Sequence, residues 1–110
     1  MGAKFISDGK YVDYTPTVDV PAGAVVAQED LVGVAVRAIP ANTLGSLAVE
    51  GVFEVPRVIG VGTGFAAGKT LYWFVAADLA TATAAGNPVL GKAVTAAEDG
   101  DETVRVRLMQ

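Results

Sequence analysis

The chain has 110 residues, 52% of them hydrophobic, with eight basic and twelve acidic side chains that give a net charge of −4. That length holds one domain, able to bury about two-thirds of the surface its extended chain exposes, and its cations are scattered rather than gathered into the stripe that phosphate neutralisation requires, so nucleic acid is not an expected partner. Histidine and cysteine are both absent, which removes disulfides, the commonest general base, the thiol nucleophile and the usual zinc and copper ligands.

The N-terminal stretch from Met1 to Asp8 lacks the long apolar run of a signal peptide, and no later run approaches the ~20 residues needed to cross a bilayer. A soluble protein with no membrane contact, not exported by that route, is the expectation. Residues 1–14 read as an N-terminal arm or first strand, and 15–110 as a single β-rich domain. Lys10 to Thr15 alternates as a strand does, Pro21-Ala22-Gly23 forms a turn, a short strand runs from Ala24 to Ala27, and Gln28-Glu29-Asp30 is a polar link.

Val32 to Ala38 and Leu47 to Val55 are predicted strands joined through Pro40 to Gly45. Beyond Pro56, the glycines at 60, 62, 64 and 68 oppose both helix and strand, and the segment reads as a flexible connection. Leu71 to Val75 is the strongest strand signal, with Leu79 to Ala85 pairing back against it. After the Gly86-Asn87-Pro88 turn, Leu90 to Ala96 nearly repeats Val32 to Ala38, and Thr103 to Leu108 occupies the place of Leu47 to Val55. The prediction is an all-β fold, a compact small barrel or sandwich of about eight short strands with two pseudo-repeated hairpins and at most one short helical turn. Gly33 and Gly91, at equivalent places in the repeat, are expected to make barrel corners.

No constellation in this pattern carries chemistry, and no catalytic, cofactor-binding or metal-binding residue is assigned. Glu50 and Glu54 have the even spacing of a strand's outer face, and the run Glu98-Asp99-Gly100-Asp101-Glu102 reads as a solvated turn without a calcium loop's ligand spacing. Gly62 to Thr70 ends in Gly-Lys-Thr, but Thr63 stands where a phosphate loop needs glycine, and a strand rather than a helix follows. The surfaces left for partners are three. They are the arm, with Lys4, Phe5, Ile6, Tyr11 and Tyr14; the glycine-rich loop, with Phe65; and the outer face of the closing strand, where Arg105 and Arg107 alternate with Val104, Val106 and Leu108.

Taken in order, the Gly9-centred opening, Pro21-Ala22-Gly23, Gly33-Val34-Ala35, the strand from Glu50 to Pro56, Gly68-Lys69-Thr70-Leu71-Tyr72-Trp73, Gly91-Lys92-Ala93 and the strand from Val104 to Leu108 resemble a family of small tailed-phage capsid cement, or decoration, proteins. The resemblance implies a non-enzymatic domain that binds the major capsid protein on the outer surface of the assembled head. It further implies a homotrimer at threefold or quasi-threefold positions, and residence in the host cytoplasm during assembly. The alternative from the residues alone is a stand-alone β-rich module that binds a small ligand or glycan through Trp73 and Tyr72.

Overall fold

The computed structural model describes residues 2–110, so Met1 of the expected arm lies outside the described residues. Nine strands follow in chain order: β1 (Tyr11–Tyr14), β2 (Val25–Gln28), β3 (Leu31–Val34), β4 (Gly45–Ala48), β5 (Glu50–Pro56), β6 (Thr70–Phe74), β7 (Leu79–Thr81), β8 (Val89–Ala93) and β9 (Thr103–Met109). No helix occurs among the described residues. A four-stranded sheet has the order β1-β4-β3-β2 and a five-stranded sheet the order β5-β9-β8-β6-β7, both antiparallel, and together they form an all-β sandwich.

The short strands follow from alternation cut by turn residues. β2 and β3 make the tightest hairpin, closing from Gln28 to Leu31 through Glu29, which takes φ 55°. The supposed polar link is thus itself a hairpin turn. The single strand expected from Leu47 to Val55 divides at the buried Val49: β4 pairs with β1 and, at Val34↔Ala48, with β3, whereas β5 pairs along its whole length with β9. Gly51 sits just past the division at φ 115°, a conformation that side-chain-bearing residues rarely adopt, and it lets the chain turn from one sheet into the other. The two copies of the sequence repeat are therefore unequal: β8 and β9 pair through three residues, while β3 and β4 touch at one.

Gly33 and Gly91 mark close approaches between strands. A Cβ on Gly91 would lie 2.0 Å from the Arg107 carbonyl oxygen, and one on Gly33 would lie 2.8 Å from the Leu47 Cβ. The five-stranded sheet curls far enough for its outermost strands to meet at one end, where Arg57 bridges Ala80 in parallel and the Val58 amide donates to the Ala80 carbonyl at 2.9 Å.

The main core lies between the sheets, built from Val32 and Val34 on one side and Val55, Leu71, Trp73, Leu90, Val106 and Leu108 on the other. Fully burying each such side chain stabilises the fold by about 1.5–3 kcal/mol relative to exposure. A smaller cluster of Val20, Ala35, Ile39 and Leu47 gathers Val12 and Tyr14 of β1 against it.

Candidate functional site

The arm leaves the sandwich at Gly9, and residues 2–8 form no regular structure and are exposed. Phe5 and Ile6 are 79% and 81% exposed, a large apolar surface, and Lys4 stands exposed beside them. Tyr11 and Tyr14 belong instead to β1, in register with Ala48 and Gly45 of β4. Tyr14 packs on the smaller core, whereas Tyr11 remains exposed and lines an open groove of about 540 Å³ with Val36, Arg37 and Leu44.

Arg105 and Arg107 lie on the exposed face of β9, alternating with the buried Val104, Val106 and Leu108. Arg105 is opposite Glu54 of β5, and Arg107 is opposite both Val52 of β5 and Lys92 of β8. Arg107 and Tyr11 also share a surface depression with Lys10, Glu50 and Gly51, so the base of the arm adjoins the outer face of β9. Phe65 is set apart from both. It bridges to Ala97, is half-buried against the main core, and lies beneath the Arg57 guanidinium, 5.3 Å from it.

Arg57 is a residue that the sequence reading passed over. It is only 2% exposed, and its guanidinium ties the glycine-rich loop to the acidic turn. Nη1 donates to the carbonyls of Glu98, at 2.9 Å, and Asp101, while Nη2 donates to the Thr63 carbonyl at 2.6 Å and its hydroxyl at 3.1 Å. Its Nε is buried without a hydrogen-bond partner. The signal for it was parity: Arg57 falls two residues after the buried Val55, on the inward side of the same strand run.

The acidic turn answers this clamp. Asp99 accepts from the amides of Gly62 at 3.0 Å and Gly64 at 2.8 Å, and these bonds, with the nearby charge of Arg57, hold its carboxyl below the usual carboxylate range. The loop does cradle an anion with backbone amides, and that anion is the protein's own carboxylate. The segment expected to be a flexible connection is therefore pinned from two directions. A hollow of about 90 Å³ beside Arg57, Thr63, Phe65 and Thr83 is far smaller than the roughly 300 Å³ or more of an ordinary ligand pocket. Trp73, which a glycan-binding surface would need, is 2% exposed within the core. β6 begins at Thr70, so the Gly-Lys-Thr string runs into a strand, as its sequence predicts.

A family model described as phage cement protein matches residues 6–108. No curated protein and no solved structure matches the chain.

Proposed function

The chain belongs to the phage cement protein family, and from that premise we propose that it decorates the outer surface of the assembled head as a homotrimer at threefold or quasi-threefold sites and stabilises the shell. The family is structural, which points away from enzymatic activity. The observation that carries the docking mode is the arm: Phe5 and Ile6, 79% and 81% exposed, project from a sandwich whose own cores are complete without them. With Lys4 they form an extended apolar segment with one charge, suited to lying along a shell surface. The groove at Tyr11, Val36 and Leu44 extends that apolar surface onto the body of the domain. Nucleic acid, membrane and cofactors have no part in this reading.

Such a protein binds the assembled lattice and not its dissociated subunits, so it stabilises the shell by mass action, and three linked copies multiply a weak individual contact. The test adds purified protein to heads that lack it. Saturable co-sedimentation and a higher temperature of head disruption are expected, and heads that neither retain the protein nor gain stability would refute the proposal. The glycan alternative keeps Tyr72 half-buried at the surface but loses Trp73 to the core.

A further inference from the structure

The outer face of the five-stranded sheet is exposed, and one pair of its charges is placed at a cost to the isolated chain. Val52, Arg107, Lys92 and Thr70 stand in one row across four strands, so that two cations on neighbouring strands oppose each other directly. Like charges in that position are destabilising. Arg105 occupies the next row opposite Glu54, and Glu50 stands opposite Met109, so Lys92 and Arg107 are the cations of this face with no acid in register with them, in a chain with a net charge of −4. Around them lie exposed apolar side chains, Val52 at 56%, Val94 at 45% and Met109 at 43%. Arginine and methionine are enriched at interfaces relative to the rest of a protein's surface.

The same chain carries the complementary surface. In the turn between β8 and β9, Asp99 is committed to the loop amides and Asp101 accepts from the Glu98 amide at 2.9 Å, which leaves the carboxylates of Glu98 and Glu102 exposed. Arg57 holds the backbone of this turn from within through the Glu98 and Asp101 carbonyls, and the Arg57 amide donates to the Glu102 carbonyl at 3.0 Å. The turn is thus a fixed acidic knob that loses little conformational freedom on binding.

We infer that the face carrying Lys92, Arg105 and Arg107 receives the Glu98 to Glu102 turn of a second copy of this chain. The contact joins two different surfaces, so it is heterologous, and its repetition gives a closed ring where the rotation between copies is threefold and an open filament where it is not. It rests on the homotrimer proposed above and supplies that trimer's two mating surfaces.

The experiment measures self-association of the full chain by sedimentation velocity across a salt series, and head occupancy by co-sedimentation for the same proteins. Circular dichroism checks that each variant is folded; the substituted positions are all exposed. The wild type is expected to form trimers that weaken as salt rises. Lys92→Glu with Arg107→Glu, and separately Glu98→Lys with Glu102→Lys, should each weaken self-association by more than about tenfold, because like charges then face each other across the contact. Combining all four reversals in one chain restores complementarity and should restore the trimer.

A wild type that is monomeric throughout, reversals that leave the trimer intact, or a fourfold variant that stays dissociated would each overturn the inference. Reversals of the face that abolish head binding while trimers persist would overturn it too, assigning the face to the shell. Wild-type trimers that fail to decorate heads would leave the inference standing and refute the cement reading instead.

Discussion

Arg57 shows what one buried charge does in a small sandwich. Its guanidinium serves carbonyls from both the 60s loop and the acidic turn, segments about 35 positions apart in the chain. Arg57→Ala leaves those carbonyls without their charged donor, and each orphaned buried acceptor costs about 1–3 kcal/mol. With water entering to satisfy some of them, a loss near 3 kcal/mol in a urea melt is expected. Arg57→Lys keeps the charge but not the planar fork, and it should recover only part of the loss. Asp99 makes a pH prediction. Its folded carboxyl titrates below the unfolded one, so its contribution to stability is full above an unfolded value of about 3.9 and disappears as pH falls through the lower folded value. Asp99→Asn should flatten the acid limb of the stability profile in that window while leaving the neutral-to-basic limb unchanged in shape. An acid limb identical to the wild type's would show that the Gly62 and Gly64 amides do not discriminate between the protonation states.

At the scale of elements, the packing of β8 on β9 depends on the absence of one methyl group. A Cβ on Gly91 would sit 2.0 Å from the Arg107 carbonyl oxygen and 2.8 Å from its carbonyl carbon, backbone atoms that cannot rotate aside. Gly91→Ala must therefore push apart strands that together carry Leu90, Val106 and Leu108 of the main core, and a destabilisation of about 2–4 kcal/mol is expected. Gly100→Ala is the control, since nothing lies within 4 Å of its Cβ position, and it should change the urea midpoint by less than about 0.5 kcal/mol equivalent. Equal effects at the two positions would contradict the close approach of β9 to Gly91.

Across the whole molecule, the structure separates what holds the domain together from what it offers to partners. Two buried clusters and nine strands account for residues from Tyr11 onward, while residues 2–8 contribute no paired backbone and no buried side chain. Removing Met1 to Ser7 should leave the β-rich circular dichroism and the urea midpoint unchanged, yet weaken attachment to heads severalfold. Truncated protein that occupies heads as fully as the intact chain would move the docking surface from the arm to the groove at Tyr11 and Leu44.

Strand formation, the lack of any helix beyond a single turn among the described residues and the two-faced character of β9 were legible in the sequence, because side-chain alternation and glycine or proline punctuation act within a few residues of each other. The missing histidine and cysteine fixed the lack of their chemistry in the same direct way. Partner choice was not legible. The run from Leu47 to Val55 reads as one strand, and only its competing partners, β1 and β3 before Val49 and β9 after it, divide it between two sheets. The glycine-rich loop looked mobile because its anchors, Arg57 and Asp99, lie outside it, the latter 35 residues beyond Gly64. Which cation is buried and which carboxylate fills a set of amides depend on the free energy of desolvation against newly made hydrogen bonds, and that balance exists only once distant segments have met.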